Sequence, residues 1–242
     1  MLRTPSDTAH SSAATQDAGS RAVVEELLQD LGSQLHRGDT PVEPPARLPT
    51  GIAGIDRLLG SGFPRGRLSE IAGPDSSGRT SLALALLART TGAGELAAVI
   101  DCADAFDPTS AHGAGALLDR VLWVRTARCR EALRSAERLL GAHGFALVLL
   151  DLAIPDLRLA PASGPRLARA AASTGTALVV VTRDRVMGTA AEVAIELAPA
   201  RTHFTGTPTL LEGLDIRVAL ARHRSAPDQR CTTVRLRSSR AA

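Results

Sequence analysis

The chain has 242 residues, 44% apolar and 22% charged, which suits one α/β domain with extensions and excludes wholesale disorder. Net charge is +3, too small to imply a nucleic-acid binder by itself, and all 28 basic residues are arginine. Cys102, Cys129 and Cys231 are odd in number and form no C-x-x-C pair, which argues against a disulfide framework and a zinc site.

The N-terminus carries no apolar signal region, and no apolar run approaches the ~18 residues of a membrane span, so a soluble cytoplasmic protein is expected. With one Trp, four Phe and no Tyr, the core must be aliphatic.

In chain order, residues 1–20 read as a disordered tail rich in Ser, Ala and Thr. Residues 21–37 read as a helix whose stripe is Val24, Leu27, Leu28, Leu31 and Leu35, one face at helical spacing. That stripe either packs back on its own domain or docks on a neighbour. Residues 38–48, with Pro41, Pro44 and Pro45, form a stiff linker, and the core runs from 49 to 242.

Within the core, strands are expected at 68–72, 97–101, 121–124, 145–150 and 177–182, with helices at 80–89, 130–140 and 166–172. Continuous apolar strands alternating with helices predict a parallel sheet covered on both faces. From about 214, alternating segments at 214–221 and 231–236 predict a terminal antiparallel hairpin. Seven arginines fall within 215–242 against Asp215 and Asp228, either a solvated strand face or a DNA contact through Arg230, Arg235 and Arg237.

Residues 73–81 read Gly-Pro-Asp-Ser-Ser-Gly-Arg-Thr-Ser, a phosphate-loop pattern with arginine in the lysine position. Gly73, Ser76, Ser77, Gly78, Arg79 and Thr80 would cradle a polyphosphate at a helix N-terminus, and Asp151 ends a strand where a metal-orienting carboxylate belongs. The bias toward arginine complicates the reading of Arg79, but arginine is no equivalent of lysine at a tight site and a working loop should resist such drift. Trp123 has no aromatic neighbour in sequence and reads as core, and the arginines at 125–138, interleaved with Glu131 and Glu137, read as a solvated helix face. The six His are scattered without ligand spacing, and His203 beside Phe204 carries no separate role.

Leu48-Pro-Thr-Gly51, Gly54-Ile-Asp56, Gly66, Glu70-Ile-Ala-Gly-Pro74, Ile100-Asp101 and Asp107-Pro108 together resemble the RecA recombinase core over about residues 21–240. The resemblance implies an α/β fold: a RecA-like P-loop core with a mainly parallel central sheet, an N-terminal helix and a C-terminal β-hairpin. It implies that the helix at 21–37 docks on an adjacent protomer or partner. The family's catalytic glutamate falls on Ala103, its adenine-stacking tyrosine on Ser110 and its phosphate-sensing glutamine on Arg183, while Asp107 keeps the polar adenine contact. The paired basic residues that reach a neighbour's nucleotide match Arg222 and Arg224, and the loops that carry DNA contacts are short, leaving Arg183 and Arg185 for that role.

This pattern is similar to the ImuA family, RecA-like proteins that act with an inactive Y-family-like polymerase, ImuB, and an error-prone replicative polymerase. Some members carry the name of SulA-like division inhibitors. The resemblance implies a degenerate ATPase, not an enzyme, with no working cofactor, ATP and Mg²⁺ binding being at most residual. The resemblance also implies a role in damage-induced translesion synthesis, with contacts to RecA or to its own copies and weak DNA binding. The alternatives are an active DNA-dependent ATPase or recombinase with Asp104 as base, and a cell-division inhibitor.

Overall fold

The computed structural model describes residues 45–223 and 230–237. The helix expected at 21–37, with Val24, Leu27, Leu28, Leu31 and Leu35, lies outside the described residues, as does Arg224. In chain order the elements are β1 (Arg47–Leu48), α1 (Ala53–Leu59), β2 (Phe63–Pro64), β3 (Leu68–Ala72), α2 (Arg79–Gly92), β4 (Leu96–Asp101) and α3 (Pro108–Gly113). There follow β5 (Val121–Arg125), α4 (Cys129–Gly141), β6 (Phe145–Asp151), α5 (Ser163–Thr174), β7 (Ala177–Thr182), β8 (Val193–Thr205), β9 (Leu210–His223) and β10 (Cys231–Arg237).

Eight strands form one sheet in the order β10-β9-β8-β3-β7-β6-β4-β5. The pairs from β8 through β5 are parallel, and β9 and β10 add antiparallel at the other edge. The central strands are buried on both faces, so side chains alternate between two cores. Leu147 and Leu149 join Leu82, Leu86 and Leu87 of α2 on one side. Val148 and Leu150 join Ala132, Ala136 and Leu140 of α4 and Leu167 of α5 on the other.

The expected terminal hairpin is present and forms part of a three-stranded antiparallel edge, because β8 also pairs along β9. Sequence reasoning missed β8 because Pro199 interrupts it. The sheet absorbs this proline beside a register shift between Pro199 and Arg201, where the ladder can lose a donor. Reasoning also passed over α1. This short helix is locked to the entry loop by Asp56, which accepts hydrogen bonds from the Thr50 amide and hydroxyl, both at 2.8 Å, and from the Gly51 amide at 3.1 Å.

Trp123 packs partly buried against the α2-side core, as expected of a core residue. The absence of aromatic neighbours does not hold in three dimensions: Phe106 meets its ring edge-on at 5.2 Å, and the Arg125 guanidinium lies 5.2 Å from its centroid. No helix among the described residues is long and apolar enough to cross a membrane.

Candidate functional site: the phosphate-loop cleft

The sequence from β3 to α2 folds as the loop pattern requires. β3 ends at Ala72, and Gly73 donates to the carbonyls of Thr182 at 3.3 Å and Arg183 at 3.1 Å, which binds the loop's start to the end of β7. Gly78 takes φ +89° as it enters α2. Helix α2 begins at Arg79, so its first N–H groups have no intrahelical acceptor and face the loop. A cleft of about 510 Å³ lies here, lined among others by Ser76, Ser77, Gly78, Arg79, Thr80 and Asp151. Six of the residues named from sequence, separated by up to 75 positions, line this one cleft, and Gly73 does not. Asp107 does not line this cleft.

The loop's polar groups fit a phosphate in part. Thr80 is exposed to the cleft, and the Ser77 hydroxyl is buried with no hydrogen-bond partner. The groups that would act on a bound nucleotide do not fit. Arg79 is buried, with Nη1 donating to the Thr182 carbonyl at 2.9 Å and Nη2 to Asp75 Oδ1 at 3.0 Å. The other oxygen of Asp75 accepts from Arg183 at 2.9 Å. One carboxylate therefore bridges the two arginines that stand at the lysine and sensor positions. Sequence reasoning missed Asp75 because it occupies a variable position of the motif and one of its partners lies 108 residues away.

Ala103, where the resemblance would put a catalytic glutamate, lines the cleft and has no polar side-chain atom. Asp104 adopts φ +52° and pairs with Arg125 at 2.6 Å, and it is not among the cleft's lining residues. The turn that aims it is fixed by buried Asp101, whose oxygens accept from the amides of Ala105 and Phe106 at 3.0 and 3.1 Å. Ser110 is likewise committed: its hydroxyl donates to Asp107 at 2.6 Å, and Asp107 caps α3 through the amides of Thr109 and Ser110. The Ser110 hydrogen bond holds the Asp107 carboxyl below the usual carboxylate range.

Asp151 shows the opposite perturbation. Burial pushes its carboxyl above the ordinary value and the neighbouring Asp101 adds to the shift, against the Ala153 amide, which donates to it at 2.9 Å, and Arg79. A carboxyl raised by folding stabilises the fold below its unfolded value and loses that contribution as pH rises through its folded value. At neutral pH the ionised side chain is a cost. Asp151→Asn is expected to raise the melting temperature at pH 8 by about 2–4 °C. The gain should shrink toward pH 4 or so, near the ordinary carboxylate value, in thermal scans at each pH.

Three of the other basic residues expected to act are held by their own chain. Arg222 donates to the Ala191 carbonyl at 2.8 Å, and Arg185 lies 3.5 Å from Glu196. Arg235 donates to Asp215 at 2.9 Å, and Asp215 also meets His203 at 2.7 Å, so Arg235 first and His203 second hold that carboxyl below its usual range. His203, given no role from sequence, thus belongs to a surface cluster spanning β8, β9 and β10. Arg230 stands just before β10, and Arg237 is exposed at its end. Ion pairs at the surface are weak and screened by salt, so a polyanion could compete for these arginines.

Residue Glu70 was quoted only as part of a motif. It is fully buried in β3, and its Oε1 accepts from the amides of Val186 at 2.7 Å and Met187 at 3.2 Å and from the Thr182 hydroxyl at 3.3 Å. It holds the segment after β7 that carries Arg183 and Arg185.

Comparison with known proteins agrees with this architecture. The family model for the RecA N-terminal domain matches residues 24–161. The chain is 38% identical over 121 residues to the protein RecA of Porphyromonas gingivalis, covering 50% of this chain and 36% of that protein. It is 39% identical over 121 residues to the protein RecA of Rubrobacter xylanophilus, covering 50% and 35% respectively. The chain thus spans little more than a third of the length of these relatives. A crystal structure of the RadB recombinase superposes with a TM-score of 0.62 at 21% identity, covering 77% of this chain and 94% of that one, a likeness of fold. A strand–loop–helix phosphate cradle, a mainly parallel sheet and a family match across more than half of the sequence lead to one conclusion: the chain belongs to the RecA N-terminal domain family.

Proposed function

We propose that this protein is a catalytically degenerate RecA-like accessory protein of the ImuA type. It assembles with an ImuB-like inactive polymerase, and through it with an error-prone replicative polymerase, in damage-induced translesion synthesis. The observation that carries the non-hydrolysing half is the Asp75 bridge between Arg79 and Arg183. An internal carboxylate there satisfies the cations that a terminal phosphate would otherwise attract. General-base catalysis has no candidate beside it. The carboxylates among the cleft's lining residues are Asp75, spent on two arginines, and Asp151, bonded to the Ala153 amide. Bound ATP with Mg²⁺ would rest on the loop amides, Thr80 and Asp151, and no hydrolytic step is assigned to it.

The polymerase partnership is supported by the resemblance of the quoted motifs to the ImuA family. Docking through the segment at 21–37 and weak DNA contact through the C-terminal arginines belong to the same reading.

The bridge yields a measurable consequence. Asp75→Ala frees both arginines and is expected to tighten binding of a labelled non-hydrolysable ATP analogue about three- to tenfold, the worth of one exposed ion pair. Equilibrium titration of both proteins at low salt checks this. Unchanged or weaker binding in the variant would show that Asp75 does not compete with phosphate.

A further inference from the structure

On the face of the sheet opposite α2, helix α4 and the loop leading into α5 enclose a groove of about 430 Å³. Arg130, Arg134, Arg158 and Arg166 line it. The one carboxylate among its lining residues, Glu137, is already bound to Arg166 at 2.6 Å. Arg130 and Arg134 stand one turn apart on α4, a like-charge spacing that is unfavourable on an isolated helix. Neither of them, nor Arg158, has an ion-pair partner among the described residues. Between these cations lie Leu133 and Leu159, half-buried and packed on the core behind them. From sequence alone this arginine run is a solvated helix face. In three dimensions it converges with a second segment around an apolar floor.

We propose that this groove binds an acidic, leucine-bearing segment of a partner protein, its carboxylates on the arginine rim and a leucine side chain on Leu133 and Leu159. Guanidinium forks match carboxylates in bidentate geometry, a use for Arg130, Arg134 and Arg158, which have no ion-pair partner among the described residues. The apolar floor has no use for a bare phosphate chain. A single-stranded nucleic acid would want rings to stack on, and no aromatic residue among the described residues lines the groove. The volume admits a few side chains.

Fluorescence anisotropy of the full chain tests this with a labelled twelve-residue peptide of acidic pairs alternating with leucines. The proposal expects saturable binding that weakens about tenfold or more in Arg130→Glu/Arg134→Glu, with the variant's fold checked by circular dichroism. It also expects about fivefold weaker binding when the peptide's leucines become alanines, the worth of one small apolar contact. Equal binding by the wild type and the double variant overturns it, as does indifference to the leucines. So does an oligo-dT strand that displaces the peptide and binds more tightly through the same two arginines. Because the groove lies across the sheet from the phosphate loop, nucleotide titrations on the same preparations separate its failure from that of the degenerate-ATPase reading.

Discussion

Gly78→Val is expected to destabilise the fold by about 3–5 kcal/mol in the complete absence of nucleotide. The loop glycine sits at φ +89°, where an L side chain costs about 1–2 kcal/mol and a β-branched one more. A Cβ here would stand 2.7 Å from Leu236 Cδ1 and 3.1 Å from Ile216 Cγ2, side chains of β10 and β9 that pack down on the loop. Ile216 is fully buried and Leu236 nearly so, so neither can retreat into solvent. Overpacking of this kind typically adds about 1–3 kcal/mol. Gly78→Ala should show roughly half the effect. Urea unfolding of nucleotide-free protein measures both, and a loss of less than about 1 kcal/mol for the valine variant would refute the packing argument. The expected result explains why a phosphate loop persists beside an alanine at position 103: its glycine is required by the antiparallel edge of the sheet.

The second large effect is expected at Glu70. Glu70→Ala removes the acceptor of the Val186 and Met187 amides and leaves a void in a fully buried strand position. Two orphaned donors together with the cavity predict a loss of about 3–4 kcal/mol. Glu70→Gln keeps a carbonyl oxygen and a near-identical volume, so it should lose about 1 kcal/mol or less. Because the clamped segment carries Arg183, the alanine variant should also loosen Asp75. Hydrogen exchange of the Val186 and Met187 amides would accelerate in Glu70→Ala and stay near wild type in Glu70→Gln. Equal stability of the two variants would mean that the carboxylate is not the clamp.

Much of the parallel core was legible because its strands are continuous apolar runs. Ala-Leu-Val-Val-Val-Thr at 177–182 and Phe-Ala-Leu-Val-Leu-Leu at 145–150 admit few other readings in a βα alternation. The loop was legible for a different reason: Gly73, Gly78 and Thr80 recur at the spacing of a phosphate loop, and the fold brings Gly78, Thr80 and the distant Asp151 to one cleft. Strand β8 was not legible, since Pro199 reads as a breaker and only the register shift shows how the sheet accommodates it. The fates of the charged side chains were also hidden. Whether Arg79 reaches into the cleft or turns back is decided by Thr182 and Asp75, and the spacing of the motif says nothing of the first. Asp104 illustrates the same limit. One residue from the catalytic position, it is turned away by two backbone amides bonding to Asp101 and captured by Arg125 on the edge strand.

These side-chain commitments support the proposal of a loop retained as architecture, with its hydrolytic groups lost or engaged elsewhere. The measurement that addresses this most directly is steady-state ATP turnover by the full chain with Mg²⁺, with and without single-stranded DNA, beside Asp151→Asn. The account predicts turnover indistinguishable from buffer in every condition and no difference between the two proteins. DNA-stimulated turnover well above background that disappears in Asp151→Asn would contradict it.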